Sequence, residues 1–230
     1  MAGSRFLCVS VDLDGIDCYH AIHGLPAPPE ALRDAHLTRG LPRFLDMFRD
    51  LGTRSTLFVV GRDALSRAGR EVLGRARDEG HEIANHTLDH RYDFSRLADA
   101  DLKEQVEGGA SAIEEAIGSR PVGFRAPGYI ISDRVVDVLT CAGCEYDASL
   151  LPSPPYHAGK AAMIGTMKML GRESRSIIGG AGMLAAPRGP YRTGRPYWRP
   201  GRGLPELPCS VLPVVGVPYM GTTVAGARGR

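Results

Sequence analysis

Two aspartates and two histidines in this sequence have the residue types and spacing of a catalytic metal site. Asp12 and Asp14 are separated by one residue, so in an extended segment both carboxylates face the same side. His86 and His90 are four residues apart, and on a helical turn both imidazoles would share one face. Imidazole suits zinc, and a catalytic zinc ion typically has three protein ligands and one open position. The two histidines and one aspartate would complete such a trio.

Each pair also has a plain structural interpretation. The aspartates could form an acidic turn at a strand end, and the histidines could be a solvated pair. Five other histidines lack this spacing: His20, His23, His36, His81 and His157. Of these, His81 is expected to pack or to make a supporting hydrogen bond.

Alternating strands and helices are predicted to bring these residues to one edge of a sheet. Short β-rich runs predict strands at 6–11, 55–60, 81–85 and 123–124. Helical spacing predicts helices over 29–50, 63–78, 98–117 and 132–142. Strands separated by such helices indicate parallel βαβ units, in an open sheet or a barrel. The aspartates follow the first strand, the histidines the third and Arg125 the fourth, so all lie where α/β proteins collect ligand chemistry.

Details within these segments predict core positions and helix ends. The predicted core positions of the first helical segment are Leu32, Leu41, Phe44, Leu45 and Phe48. Gly118 is expected to stop the third helix, and Ser132 to cap the fourth.

Composition limits the class of protein. The 230 residues are 43% hydrophobic and 23% charged, which is typical of globular proteins and argues against global disorder. A net charge of +2 does not indicate nucleic-acid binding. We find no apolar run of the roughly 18 residues that a membrane-spanning helix needs. Residues 1–6 lack the apolar core of a secretory signal, so a cytoplasmic location is expected.

The five cysteines and the last sixty residues carry weaker signals. An odd, sparse cysteine count favours a reduced compartment, and the pair Cys141 and Cys144 is interpreted as incidental packing. Residues 171–230 are one-third Gly and Pro, which predicts loops and short strands, with broken strands over 207–219.

Basic and aromatic residues are interleaved in that tail. The arginines are Arg188, Arg192, Arg195, Arg199 and Arg202, and the aromatic residues are Tyr191, Tyr197 and Trp198. They could form a sugar-phosphate or lipid head-group surface, with peripheral membrane contact, or an ordinary solvated loop.

Five segments together resemble the motifs of the NodB-type polysaccharide deacetylases, carbohydrate esterase family 4. The segments are VSVDLD (9–14), STLFVVG (55–61), GHEIANHTLDH (80–90), FRAPGY (124–129) and YDASLLP (146–152). The resemblance covers roughly residues 5–157. It implies an α/β fold of the NodB type, a distorted (β/α) barrel, with residues 1–230 forming a single domain.

The resemblance also implies roles for the residues noted above. Asp14, His86 and His90 would bind a divalent metal, zinc first and cobalt second. Asp12 would be the general base, and Arg125 would pair with it and hold its orientation.

The third and fourth motifs imply further site residues. The backbone N–H groups of Gly128 or Tyr129 would form an oxyanion site, and Asp147 would orient a histidine that acts as general acid. The family's late motif with that histidine is not found. His157, the last histidine, lies in a predicted Pro-rich loop and follows the fourth motif too closely. We therefore expect the domain to be incomplete at its C-terminus; loss or replacement of the acid is the alternative.

The resulting expectation is a metal-dependent hydrolase that removes an acetyl or formyl group from the nitrogen of an amino sugar. The substrate would be a polysaccharide or a lipid-linked amino sugar. Hydrolysis of a cyclic ureide on the same fold and a non-catalytic metal- or sugar-binding fragment are alternatives. A haloacid-dehalogenase-type phosphohydrolase is a remote one, because a strand running into Asp12, Asp14 and Gly15 resembles the opening motif of that superfamily. Oligomeric state cannot be read from the sequence.

Overall fold

A predominantly parallel sheet with helices between its strands forms the frame of the molecule. The computed structural model describes residues 7–171 and 174–221. The strands are β1 (Val9–Leu13), β2 (Ser55–Val59), β3 (Glu82–Asn85), β4 (Gly123–Phe124), β5 (Tyr146–Asp147), β6 (Tyr191–Thr193) and β7 (Pro200–Glu206). The α-helices are α1 (Ile16–Ile22), α2 (Glu30–Arg33), α3 (Leu41–Asp50), α4 (Gly61–Ala64), α5 (Arg67–Asp78), α6 (Asp99–Ile117), α7 (Asp133–Cys141) and α8 (Pro154–Met169). A π-helical turn spans His36–Gly40, and 3-10 turns span Phe94–Arg96, Pro127–Tyr129 and Ala181–Ala185.

The seven strands lie in the order β1-β2-β3-β4-β5-β7-β6. Neighbours from β1 to β7 are parallel, and β6 runs antiparallel to β7. This arrangement confirms the predicted α/β class. It also aligns the carboxyl ends of β1, β3 and β4, so the residues that follow these strands meet at one edge.

Apolar side chains from both halves of the sheet pack against the helices. One cluster joins β1, β2 and β3 to α3, α5 and α6, with Leu45, Leu57 and Leu73 fully buried. A second joins β4 to α6 and α7 around Phe124 and Leu139. Burial of each such side chain stabilises the fold by roughly 1.5–3 kcal/mol.

The first helical segment is shorter than predicted. Leu41, Leu45 and Phe48 are buried as expected, but Leu32 and Phe44 are exposed, and their assignment to the core is wrong. The segment breaks into α2, the π-helical turn and α3, and a π turn holds an extra residue that rotates the buried face.

The first strand is shifted toward the C-terminus. Instead of ending at residue 11, β1 continues to Leu13, which is buried in the core. Asp12 therefore lies within the strand, opposite Phe58 of β2, and Asp14 lies one residue beyond its end.

Helix ends follow local capping chemistry. Gly118 closes α6 with a left-handed φ of 75°, and the Ser132 hydroxyl accepts a hydrogen bond from Val135 N–H at the start of α7, both as predicted. The helix predicted over 63–78 is divided at Ser66, whose hydroxyl caps α5 by accepting from Gly69 N–H.

Two predictions about the later chain are wrong. Residues 154–169, expected to begin in a loop, form α8, because prolines fit the first turn of a helix and Ser153 accepts a hydrogen bond from Tyr156 N–H. The strand of the tail is Pro200–Glu206; over 207–219 the structure shows an isolated bridge between Val211 and Pro218. Residues 172–173 and 222–230 of the predicted tail lie outside the described residues. Within the described chain, no helix has the length and apolar character needed to cross a membrane.

Candidate active site

The loop that carries the two histidines is not the helical turn expected from their spacing. Thr87 and His90 have left-handed φ angles of 70° and 54°. Asn85 Oδ1 accepts a hydrogen bond from Thr87 N–H at 2.9 Å, and Thr87 Oγ1 accepts one from His90 N–H at 3.0 Å. These contacts hold the strained backbone in place, and such strain is concentrated at functional sites.

Helix α6 packs directly against this loop at Gly109. A Cβ atom on Gly109 would lie 2.5 Å from Asn85 Oδ1 and 2.8 Å from the backbone carbon of Thr87. Asn85 Nδ2 also donates to Val106 O of the same helix at 2.8 Å. The close approach of two backbones therefore shapes the histidine loop, and only glycine leaves room for it.

Asp14 and the two histidines form a compact cluster. Asp14 Oδ1 lies 3.3 Å from His86 Nε2 and 3.2 Å from His90 Nε2. One ligand atom from each residue lies within 4.8 Å of the other two. Both histidines are buried, whereas the Asp14 side chain is 43% exposed, so the cluster is open to solvent on one side.

The polarity of the ligand atoms fits a divalent metal. His86 Nδ1 donates its proton to Arg125 O at 2.6 Å, so the neutral ring presents a lone pair at Nε2 to the Asp14 carboxylate. Both ring nitrogens of His90 are buried without a hydrogen-bond partner among the described residues. In this tautomer His86 Nε2 and Asp14 Oδ1 are both acceptors, which a cation between them would satisfy, and two imidazoles with one carboxylate are a ligand set typical of zinc.

A proton can compete with a metal for this cluster. Burial lowers the pKa of His86, but its contact with Asp14 and the charge of Asp12 raise the pKa more, so the net shift is upward. Metal binding requires the deprotonated ring and should therefore weaken in acid.

Asp12 lies beside the cluster with both carboxylate oxygens occupied. Arg125 Nη1 donates to Asp12 Oδ1 at 2.6 Å, and the Tyr129 hydroxyl donates to Asp12 Oδ2 at 2.9 Å. Arg125 is itself fixed, since Nη2 donates to Ser10 Oγ at 3.0 Å and Nε to Ala148 O at 2.9 Å. The carboxylate is consequently held in one orientation at the edge of the sheet.

The Gly128–Tyr129 turn contributes the Tyr129 hydroxyl to the site. The resemblance had implied a backbone N–H of this turn instead. Both residues have left-handed φ angles, 66° and 62°. The N–H of Tyr129 donates to Ala126 O at 3.1 Å, while its hydroxyl reaches Asp12. Burial and the charge of Asp12 raise the pKa of Tyr129 well above its usual value, so the hydroxyl stays protonated. The oxyanion role of the backbone N–H groups stays a prediction.

A cavity of about 480 Å³ adjoins Asp14. Its walls include Tyr19, Tyr92 and His36. His36 Nε2 lies 3.0 Å from Asp63 Oδ2. Burial lowers the pKa of His36, but the hydrogen bond with Asp63 and the charges of the nearby aspartates together raise it more. Nothing in the sequence distinguished His36, because a lone histidine has no spacing signal.

Asp147 is not part of the cluster around Asp14. It is completely buried, and its side chain contacts Ser149 and Glu206. His157 lies elsewhere on α8, with Nε2 at 3.0 Å from Leu151 O. The predicted role of Asp147 in orienting a histidine stays a prediction, and no sequence pattern indicated Glu206 as its neighbour.

The cysteines and the tail residues lie outside the cluster around Asp14. Cys141 and Cys144 are free thiols, as are the other three cysteines. Tyr191, Tyr197 and Trp198 pack against the second core cluster, and the five tail arginines are solvent-accessible.

The chain is similar to known polysaccharide deacetylases. Residues 33–146 match the family model described as polysaccharide deacetylase. A peptidoglycan-N-acetylglucosamine deacetylase of Bacillus cereus is 33% identical over 104 residues, which are 44% of this chain and 46% of the relative. A chitooligosaccharide deacetylase of Sinorhizobium fredii is 35% identical over 103 residues, with the same shares of each chain.

A solved structure supports the fold over nearly the whole chain. It comes from Mycobacterium smegmatis, is described as a candidate polysaccharide deacetylase and superposes with a TM-score of 0.62. The superposition covers 94% of this chain and 64% of that protein at 21% identity. The chain spans about half the length of the curated relatives it matches. The family match over residues 33–146, the curated relatives and the shared fold together support assigning this chain to the NodB-type polysaccharide deacetylase superfamily.

Proposed function

We propose that this chain carries the catalytic centre of a divalent-metal-dependent hydrolase that removes acetyl groups from amino sugars of a poly- or oligosaccharide. The observation that carries the proposal is the convergence of the Asp14, His86 and His90 ligand atoms within 4.8 Å, beside an oriented Asp12. The names of the two curated relatives support acetyl as the acyl group and a saccharide as the substrate.

Asp14, His86 and His90 would hold the metal, with zinc as the first choice for this ligand set. When bound, such an ion polarises a carbonyl oxygen and makes a water molecule nucleophilic at neutral pH. The exposed side of Asp14 leaves an approach for the acetamido group.

Asp12 is positioned to act as the general base. It accepts the proton of the attacking water at one carboxylate oxygen, while its ion pair with Arg125 keeps the other oxygen in place. The departing amine must gain a proton, and the protonated Asp12 is one group that can return it. Tyr129 keeps its hydroxyl proton and steadies Asp12 throughout.

The cavity beside Asp14 is suited to a sugar ring. Tyr19 and Tyr92 contribute aromatic faces, and His36 a polar group, to a space of about 480 Å³. An aromatic wall with a few polar groups binds a ligand by packing and fixes its orientation by hydrogen bonds.

The direct test measures acetate released from chitooligosaccharides and peptidoglycan by the full chain loaded with zinc. We expect the unaltered chain to release acetate. Asp12→Asn should retain zinc but release no acetate, and His90→Ala should neither retain zinc nor release acetate. A zinc-loaded chain that releases no acetate from either substrate would contradict the proposal and favour a non-catalytic metal- or sugar-binding protein.

The remote alternative for Asp12 and Asp14 is the opening motif of a haloacid-dehalogenase-type phosphohydrolase. The match of residues 33–146 to the polysaccharide deacetylase family model, and the convergence of His86 and His90 with Asp14, support the deacetylase interpretation instead. Formylated amino sugars and cyclic ureides are alternative substrates for the same chemistry. Measuring their hydrolysis beside that of acetylated saccharides would show which substrate the chain prefers.

A further inference from the structure

Two completely buried carboxyl groups face each other in the second half of the sheet. Asp147 on β5 and Glu206 on β7 are register partners in a parallel strand pair, and both are 0% exposed. As register partners on neighbouring strands, their side chains project from the same side of the sheet. Fifty-nine positions separate them in the sequence, so no local pattern marks them as a pair.

Each carboxyl group has one oxygen with a donor and one without. Asp147 Oδ1 accepts from the Ser149 hydroxyl at 2.5 Å, and Glu206 Oε1 accepts from Leu150 N–H at 3.0 Å. Asp147 Oδ2 and Glu206 Oε2 are buried and have no protein donor among the described residues. One proton between these two oxygens supplies the missing donor.

The surrounding charges do not neutralise two carboxylates. The cation that acts on Asp147 is Arg125, and its guanidinium is already bound to Asp12. The other titratable groups around the pair are Cys144, Tyr191, Tyr197 and Cys209, whose neutral forms burial favours. Burial and the neighbouring Asp147 raise the pKa of Glu206 well above its usual value, and burial raises that of Asp147.

The pair is connected to the candidate base through the segment 148–150. Ser149 Oγ, held by Asp147, accepts from Ala126 N–H at 2.7 Å. Ala148 O accepts from Arg125 Nε at 2.9 Å. Both contacts fix the strand end from which Arg125 reaches Asp12.

We propose that Asp147 and Glu206 share a single proton, and that this singly charged pair positions Arg125, and through it Asp12, for the reaction. The proton sharing stands on its own geometry, whereas its effect on turnover rests on the proposed function. Asp147 and Glu206 are thus positioning residues.

The first test is spectroscopic and needs no activity. At neutral pH, the infrared spectrum of the full chain should contain the C=O stretch of a protonated carboxyl group, and Glu206→Gln should remove it. The matched control is Glu82→Gln, since Glu82 is a part-buried carboxylate with hydroxyl donors from Thr56 and Tyr146. A band that is absent from the unaltered chain, or that survives in Glu206→Gln, would overturn the shared proton.

The second test is the pH dependence of unfolding. A carboxyl pair whose folded pKa is raised loses stability as pH rises from the usual carboxyl range through the raised value. In that window, the unfolding equilibrium constant should increase about tenfold per pH unit, as for one proton. Glu206→Gln should flatten this pH dependence, whereas Glu82→Gln should retain it. If the unfolding equilibrium constant depends on pH equally in Glu206→Gln and in the unaltered chain, the proposal is contradicted.

The third test separates positioning from simple structural support. Ser149→Ala and Glu206→Leu should lower kcat about 10–100-fold at unchanged KM, and Glu206→Gln should recover much of the loss relative to Glu206→Leu, because the amide restores a donor to Asp147. An unchanged kcat in a folded Ser149→Ala chain would refute the positioning role. If the unaltered chain shows no turnover, the proposed function fails, while the first two tests still decide the shared proton.

Discussion

The molecule contains two clusters of polar side chains in which some hydrogen-bonding atoms have no partner among the described residues. The clusters differ in what could supply the missing partner. At the ends of β1 and β3, the Asp14 carboxylate and two imidazole nitrogens converge, an arrangement that a cation would complete. Between β5 and β7, the Asp147 and Glu206 carboxyl groups converge, and a proton completes them. Arg125 lies between the two clusters, since its carbonyl accepts from His86 and its Nε donates to Ala148 O.

The difference follows from solvent access and ligand type. Asp14 is partly exposed and its neighbours are nitrogen bases, so a hydrated metal can enter and keep an open coordination position. The carboxyl pair is sealed and has only oxygen acceptors, and burying two charges there costs more than binding one proton. Burial and ligand chemistry together therefore decide whether a converging acidic cluster selects a metal or a proton.

The largest expected effect is stabilisation of the fold by zinc, acting through the cluster of Asp14, His86 and His90. Zinc at a concentration of about 100 times Kd should raise the free energy of unfolding by about 2.7 kcal/mol, because it binds only the folded chain. His86→Ala should abolish this increase, whereas His20→Ala and Glu206→Gln should retain it. Urea titrations with and without zinc measure the effect, and an undiminished increase in His86→Ala would remove that residue from the ligand set.

The next effect concerns the turn that bears Tyr129. Tyr129→Phe removes a hydrogen bond to the Asp12 carboxylate, which is worth about 1.5–3 kcal/mol. We expect kcat for acetate release to fall roughly 10–100-fold with zinc content unchanged. Tyr156→Phe is the control, because its ring packs edge-on against Tyr129 at 6.1 Å and no described contact joins its hydroxyl to Asp12. A kcat equal to that of the control would exclude a role for the Tyr129 hydroxyl.

A packing variant tests whether backbone geometry defines the first cluster. Gly109→Ala introduces a Cβ against Asn85 and Thr87 and should destabilise the fold by about 1–3 kcal/mol and weaken zinc binding. Gly74→Ala on α5 is the control, since its Cβ would meet nothing within 4 Å. Gly74→Ala should be neutral or stabilising by about 0.4–1 kcal/mol. If both variants bind zinc as tightly as the unaltered chain, α6 does not shape the loop.

The smallest expected effect is on the pH dependence of stability that His36 and Asp63 contribute. It falls in a different pH range from that of the carboxyl pair Asp147 and Glu206. The pKa of His36 is raised by Asp63, so the stability this pair contributes is present below the usual histidine pKa and is lost as pH rises through the raised value. His36→Gln should therefore cost up to about 1 kcal/mol in acid and nothing at alkaline pH. Urea unfolding at two pH values measures it, and a pH-independent cost would contradict the assigned ion pair.

Most of the candidate site could be predicted because its residues follow strands in short motifs. Asp12, Asp14, His86, His90 and Arg125 each lie within a few residues of a strand end, and parallel strands bring those ends together. The local conformation of the histidine loop could not be predicted. Spacing of four favours a helical turn, but α6 and the Asn85 side chain impose left-handed angles.

Residue types and their order along the chain indicated the family, the α/β class and the candidate metal ligands, because periodic burial and motif spacing are local properties. Tertiary packing decided the rest. It set Glu206 against Asp147 through strand register, brought the Tyr129 hydroxyl to Asp12, and placed His36 in the cavity wall. These contacts join residues far apart in the chain, and packing rather than local propensity fixes which of them meet.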